Sequence, residues 1–273
     1  MSASPFTDPA LVHGALYAQP DRLAQRTGAL HAAKIRGSDA ADTIADLAVR
    51  HQLRAATLVD IGCGRGATTV RLAHRYRTAR LLAVDRSPAL LGATAARLPD
   101  DRHRLLILTV DFHHLPLRAN SVDLAIAAFC LYHSERPAEV LAEIRRCLVP
   151  GGRAVMVTKS ADSYRDMDKA VAASGLDPDA DTRPSLYAAF HSGNAAAITA
   201  TALSVEQVLH EEHAFRFQNL DHLAAYLVTS PKYHVPPHLT VNPDALAAEL
   251  RRRLPDTPAT TTSTITYVVA RRP

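Results

Sequence analysis

Three glycines at alternate positions follow a short apolar run that contains an acid. The run covers residues 58–61 and includes Asp60, and Gly62, Gly64 and Gly66 come next. Glycine adopts backbone angles that other residues avoid, and it lets the main chain approach a ligand closely. The amides of such a loop, together with the N-terminus of a following helix, can bind a nucleotide. The segment therefore predicts a nucleotide-binding site.

The glycines alone leave the cofactor open. Gly62, Gly64 and Ala67 also satisfy the dinucleotide pattern G-x-G-x-x-G/A, and Asp85 stands near the acidic position that accompanies it. A nicotinamide-dependent dehydrogenase is therefore one alternative. Such an enzyme needs a second mononucleotide-binding half and a hydride-transfer site, and neither is readable in the sequence.

Acids also end the first three predicted strands, at Asp60, Asp85 and Asp111. The carboxyl ends of parallel strands share one sheet edge, where ligands bind at the switch in strand order. There, Asp85 suits the hydroxyls of a ribose, and Asp111 with Phe112 suits the amino group and ring face of an adenine. Asp60 suits a cationic amino group. It would disfavour the anionic pyrophosphate of a dinucleotide.

Strands and helices must alternate to bring these residues together. The sequence predicts strands at 57–61, 79–84, 105–110, 122–129 and 154–157, then at 208–217 and 263–270. The first five are continuous apolar runs, which are typical of a parallel sheet covered on both faces. Repeated β-α units predict a doubly wound α/β sheet. Helical patterns occupy 8–51, 162–200 and 219–255.

The composition is that of an ordinary globular protein. The chain has 273 residues, 47% of them hydrophobic, and a formal net charge of +4. The basic residues are scattered apart from two short arginine runs, 251–253 and 271–272, which argues against a nucleic-acid partner. No run of about 18 apolar residues and no signal peptide is readable. Three cysteines without close spacing predict neither disulfides nor a metal site. We expect a cytoplasmic protein with no membrane partner.

Four motifs, in order over residues 55–160, resemble those of the class I S-adenosylmethionine-dependent methyltransferases of the small-molecule type. They are the glycine motif at 59–66, the segment 115–123, its continuation 124–133 and the segment 143–153. The flanking segments, 1–50 and 160–273, resemble the variable caps of that family only loosely.

The resemblance implies a Rossmann-like sheet of seven strands, mostly parallel with an antiparallel last strand, plus helical cap segments. It implies an N-terminal helical lid at 1–52 and a methyltransferase domain at 53–273, with cap insertions at about 160–204 and 219–255. It also implies S-adenosyl-L-methionine as methyl donor, with S-adenosyl-L-homocysteine as product. By analogy with that family, we expect the acceptor atom to be an oxygen or nitrogen of a small molecule, such as a secondary metabolite. The implied cofactor contacts are Tyr17, Asp60, Gly62, Cys63, Gly64, Asp85, Arg86, Asp111, Phe112 and Phe129.

The candidate catalytic residues follow the fourth predicted strand. His133 is the candidate base, because histidine titrates near neutral pH, and a structural role is its alternative. Tyr132 is a candidate to orient the substrate, and His191 is a candidate substrate contact in the predicted cap. Ala127 and Ala128 stand where many family members carry a polar residue. That departure keeps open a protein that binds the cofactor without methylating.

Overall fold

A mixed sheet of eight strands organises the part of the chain that the computed structural model describes, residues 5–8, 11, 16–17, 20–101 and 103–273. In chain order the strands are β1 (Lys34–Arg36), β2 (Thr57–Ile61), β3 (Arg80–Asp85), β4 (Leu105–Thr109), β5 (Val122–Ala128), β6 (Leu148–Lys159), β7 (Ser204–Phe217) and β8 (Ala259–Arg271). Their order across the sheet is β1-β7-β8-β6-β5-β2-β3-β4.

Helices connect these strands and cover the sheet. They are α1 (Pro20–Ala33), α2 (Ala40–His51), α3 (Ala67–Arg75), α4 (Pro88–Ala96), α5 (Pro137–Cys147), α6 (Arg165–Ala173), α7 (Ala195–Ala200), α8 (Leu220–Leu227) and α9 (Pro243–Arg251). The local sequence determines where several of these helices begin. Asp39 caps α2, and the Ser87 hydroxyl accepts the Leu90 amide at the start of α4, where Pro88 occupies the first turn.

The central strands are parallel, and the strand order reverses beside β2. β2 pairs in parallel with β3 on one side and with β5 on the other, and β3–β4 and β5–β6 are parallel as well. β8 lies antiparallel to both β6 and β7. The doubly wound sheet with an antiparallel last strand is therefore confirmed. The crevice between the carboxyl ends of β2 and β5 is the switch point at which such sheets bind ligands.

The prediction of seven strands was wrong by one. β1, only three residues long, pairs antiparallel with β7 and adds an eighth strand at the edge. Its three residues are too few for an alternation of apolar and polar residues to predict a strand. β1 also interrupts the helical pattern expected over 8–51. Of that pattern, residues 9–10, 12–15 and 18–19 lie outside the described residues, and residues 20–36 and 40–51 form α1, β1 and α2. β6 also begins earlier than predicted, at Leu148.

Alternate residues of the strands enter two apolar cores on opposite faces of the sheet. Leu58 and Ile126 pack with α2 and α3 on one face, whereas Val59 and Ala125 pack with α5 and the later helices on the other. Both faces are thus covered, as the continuous apolar strands predict. No helix in the described part of the chain combines the length and the apolar character needed to cross a membrane.

Gly62 provides a test of the switch point. Its φ is +64°, and an added Cβ would lie 2.5 Å from the Cβ of Cys130. We expect Gly62→Ala to lower the free energy of unfolding by about 2 kcal/mol or more, through strain and overpacking. Gly92→Ala is the matched control, because Gly92 lies inside α4 with open space around it. It should stabilise by about 0.5–1 kcal/mol. Urea unfolding that gave both variants the wild-type stability would contradict this account.

Candidate active site

The loop between β2 and α3 presents open backbone to the crevice. Gly64 has a φ of +57°, and no atom lies within 4 Å of the position that a Cβ would occupy. α3 begins after Gly66 without a side-chain cap on its first amides. Ala67 and Thr68, its first residues, line the adjoining cavity. An open loop followed by an uncapped helix N-terminus suits a ligand with polar oxygens.

Asp85 joins this loop to the end of β3. One carboxylate oxygen accepts the Gly64 amide and the other accepts the Ser87 amide, both at 2.9 Å. Burial raises the pKa of Asp85 above its ordinary value, against the effect of these hydrogen bonds. Each oxygen keeps a further acceptor site beside its backbone partner. The carboxylate is therefore fixed in orientation and still able to accept hydroxyl donors from the cavity.

Asp60 is the buried acid of the site. Only 1% of its surface is exposed, and its Oδ2 accepts the Thr69 hydroxyl at 2.6 Å. Burial, with a smaller contribution from Asp85, raises the pKa of Asp60 to about 7. No cation of the described residues forms an ion pair with it, although it lines the cavity. A cationic group entering the cavity would favour the ionised form.

Asp111 is already held by its neighbours. Its Oδ1 accepts the His113 amide at 2.9 Å and the His113 ring at 2.7 Å, and Oδ2 lies 3.4 Å from Arg86. Burial alone would raise the pKa of Asp111, but the hydrogen bonds from His113 and the charge of Arg86 hold it below its ordinary value. The Asp111 carboxylate therefore has fewer free acceptor sites for a ligand than the sequence suggests. Phe112 lines the cavity beside it.

Aromatic rings wall the other half of the cavity. Lys159, the last residue of β6, has its ammonium 5.8, 4.8 and 5.6 Å from the ring centres of Phe129, Tyr164 and Tyr187. It donates a hydrogen bond to the Tyr164 hydroxyl at 2.6 Å. From α1, the Arg26 guanidinium lies 5.9 Å from the ring centre of Phe6 and 5.8 Å from that of Tyr17.

His133 is enclosed by the N-terminal segment. Its Nδ1 lies 2.8 Å from the Phe6 carbonyl oxygen, and its Nε2 lies 2.9 Å from the Tyr17 hydroxyl. A carbonyl only accepts, so Nδ1 carries the hydrogen and Nε2 accepts from Tyr17. Burial lowers the pKa of His133 to about 4. The ring is neutral at neutral pH, and both nitrogens are engaged.

One cavity of about 1540 Å³ brings nearly all the predicted site residues together. It is lined by each predicted cofactor contact, including Tyr17, Cys63 and Arg86, and by the two candidate catalytic residues, Tyr132 and His133. His191 is the exception, because it does not line this cavity. Its ring nitrogen instead accepts the Gly193 amide at 3.1 Å, within its own loop.

Sequence reasoning missed the second half of the cavity. The residues it overlooked are Arg26, Lys159, Tyr164, Tyr187 and Tyr226. One signal was available for Lys159, since it ends a parallel strand at the same sheet edge as the acids. The others lie on helices and loops outside the sheet, and only the packing of those segments brings them to the site.

Residues 59–156 match a family model described as a methyltransferase domain. Among curated relatives, the malonyl-[acyl-carrier protein] O-methyltransferase of Hahella chejuensis is 30% identical over 113 residues, which are 41% of this chain and 40% of that protein. The chain spans only 33 to 43% of the length of the first curated relatives it matches.

Solved structures extend the likeness to most of the chain. A putative methyltransferase from Bacillus halodurans aligns with a TM-score of 0.60 at 15% identity, covering 87% of this chain and all of that one. The [4+2]-cyclase SpnF aligns with a TM-score of 0.53 at 18% identity, covering 85% of this chain and 81% of that one. At these identities the likeness establishes the fold.

The raised pKa of Asp60 predicts a pH dependence of stability. Between about pH 4 and pH 7 the unfolded carboxyl is ionised while the folded one keeps its proton, so the stability from this group falls as pH rises. Relative to wild type, Asp60→Asn should therefore gain stability across this window, by up to about 4 kcal/mol. The exposed control Asp181→Asn should show no such trend. Urea unfolding at several pH values measures this trend. A stability difference between Asp60→Asn and wild type that did not change with pH would contradict the assignment.

Proposed function

Because residues 59–156 match a methyltransferase-domain model and the fold aligns with that of a putative methyltransferase, we propose that the protein transfers a methyl group from S-adenosylmethionine to an oxygen or nitrogen of a small molecule. One observation carries the proposal: the open loop at Gly64 and the carboxylates of Asp60 and Asp85 all border a single cavity. S-adenosylmethionine supplies a methyl group on a positively charged sulfur, together with an amino group, a ribose and an adenine.

The residues of the crevice fit these parts. Asp60, with no cation of the described residues beside it, would hold the amino group, and the open backbone at Gly64 would lie against the methionine portion. Asp85 would accept the ribose hydroxyls. Phe112 would contact the adenine, with Asp111 held beside it by His113 and Arg86. A cationic amino group beside Asp60 would favour the ionised carboxylate.

The size of the cavity supports a second ligand. Pockets for one small molecule are commonly about 300–1,000 Å³, whereas this cavity is about 1540 Å³. We propose that the N-terminal lid, 1–52, and the cap insertions at about 160–204 and 219–255 form the acceptor chamber. Arg26, Tyr164, Tyr187 and Tyr226 come from these segments. A cytoplasmic location and the absence of a nucleic-acid partner stay predictions.

Methyl transfer from a sulfonium depends mainly on positioning and on the exclusion of water. We propose that the main role of His133 is to position its neighbours. Its two hydrogen bonds hold the Tyr17 hydroxyl and the Phe6 carbonyl over the crevice. With its pKa near 4, it is a weak base at neutral pH. Tyr132, stacked on Phe6 with ring centres 5.3 Å apart, remains the candidate to orient the acceptor.

A second candidate function is cofactor binding without methyl transfer. The engaged, weakly basic His133 favours it, and the same fold occurs in the [4+2]-cyclase SpnF. Incubation with trideuteromethyl-labelled S-adenosylmethionine and a panel of acceptors separates the two. A labelled product would exclude the second function. If the protein binds the cofactor firmly but transfers no methyl group to any acceptor, the second function is favoured.

The ribose assignment of Asp85 gives a direct test. Asp85→Ala should weaken the binding of S-adenosylhomocysteine about 10- to 100-fold, because hydrogen bonds to a charged group are lost. Asp181→Ala, an exposed acid on the surface, should leave the affinity unchanged. Isothermal calorimetry measures both, after thermal melting has confirmed that each variant is folded. Wild-type affinity in a folded Asp85→Ala protein would refute the assignment.

A further inference from the structure

Two cations in the aromatic half of the cavity lack a carboxylate partner. Within the described residues, neither Arg26 nor Lys159 forms an ion pair, and each lies instead against aromatic rings. Just behind the chamber the chain pairs its cations closely. Lys232 lies 2.5 Å from Asp168, and Arg183 lies 2.7 Å from Asp177. Among these neighbouring cations, Arg26 and Lys159 are thus the two that face the rings of the chamber without a carboxylate from the described residues.

The two cations border one group of rings. Arg26 lies against Phe6, the rings of Phe6 and Tyr187 are 5.9 Å apart, and Tyr187 in turn lies against Lys159. The guanidinium also lies 5.8 Å from the ring centre of Tyr17. Contacts between a cation and an aromatic face are worth about 0.5–2 kcal/mol. They retain the positive charge and leave it available to an anion.

Backbone strain supports a functional chamber. Phe129 and Tyr164 both adopt left-handed backbone, with φ of +55° and +67°, although neither is glycine. Such conformations cost about 1–3 kcal/mol each and concentrate at functional sites. Both residues direct their rings at the Lys159 ammonium. The surrounding packing must therefore hold both strained residues in place beside this one charge.

The cavity carries charges of both signs. Asp60 and Asp85 border the crevice, where Arg86 and other arginines also line the cavity. The cations Arg26 and Lys159, in contrast, lie against the aromatic rings. A positive chamber disfavours a cationic acceptor and attracts an anion, and the rings provide apolar contact area for its body.

We propose that the methyl acceptor is an organic anion with an apolar body, whose carboxylate or phosphate group binds Lys159 and Arg26. This inference rests on the methyl transfer proposed above and names the class of its acceptor. A charge-assisted hydrogen bond from each cation would position the acceptor in the chamber, with its anionic group against these two side chains.

Two fluorescent probes with similar rings test the charge preference. Anilinonaphthalene sulfonate carries an anionic group, and N-phenylnaphthylamine is neutral. With protein saturated by S-adenosylhomocysteine, the anionic probe should bind the wild type more tightly. Lys159→Met and Arg26→Gln should each weaken it about 10-fold or more, and should leave the neutral probe nearly unchanged. Lys169→Met removes an exposed lysine on α6 and is the matched control, expected to behave as wild type.

Competition identifies the anionic group. Octanoate, octyl phosphate and octanol share one apolar chain, so displacement of the probe by the first but not the second indicates a carboxylate site, and the reverse indicates a phosphate site. Octanol should displace it poorly. Equal displacement by all three, or Lys159→Met and Arg26→Gln proteins that bind the anionic probe like wild type, would overturn the proposal.

The same samples separate this inference from the proposed function. Calorimetry with S-adenosylhomocysteine reports on the crevice, where Lys159 and Arg26 are assigned no role. Firm cofactor binding without anion preference would refute the acceptor class alone. If the folded wild-type protein does not bind S-adenosylhomocysteine, the methyl-transfer proposal on which this inference rests is refuted.

Discussion

The close contact between Gly62 and Cys130 is the constraint on which the site depends. It joins the loop after β2 to the segment after β5, and one added carbon would come within 2.5 Å of the neighbouring side chain. The Cys130 thiol also lies 3.3 Å from the Ile61 carbonyl oxygen. This closure buries Asp60 at the bottom of the crevice. It also brings Gly64 and the left-handed Phe129 to the rim, facing one cavity.

Burial then determines the electrostatics of the two ends. At the crevice, desolvation raises the pKa of Asp60, so its charge is favourable only when a cation is near. At the aromatic end, the Arg26 guanidinium and the Lys159 ammonium lie against ring faces and have no carboxylate partner among the described residues. A cationic donor and an anionic acceptor would each meet the complementary half. The cavity would thus orient the two ligands by sign, in addition to shape.

Much of this architecture was predictable because its signals are local. Apolar runs, the glycine spacing and acids at strand ends each report on a few consecutive residues, and the structure brings the residues they single out to one cavity. β1 was missed because three residues carry no periodic pattern and pair only through tertiary contact. The protonation state of His133 was equally impossible to predict from the sequence. Burial lowers its pKa, against the effect of the hydrogen bond with the Phe6 carbonyl. Its partners Phe6 and Tyr17 lie more than a hundred residues away in the chain.

The central claim is that the acids at the strand ends select a cationic adenosyl cofactor over a dinucleotide. Parallel calorimetric titrations of the wild-type protein with S-adenosylhomocysteine and NAD⁺ test it most directly, because both ligands carry an adenosine and only NAD⁺ carries a pyrophosphate. The account predicts binding of S-adenosylhomocysteine at roughly micromolar concentration and none of NAD⁺. Binding of NAD⁺ alone would contradict the roles given to Asp60 and Asp85, and with them the proposed methyl transfer.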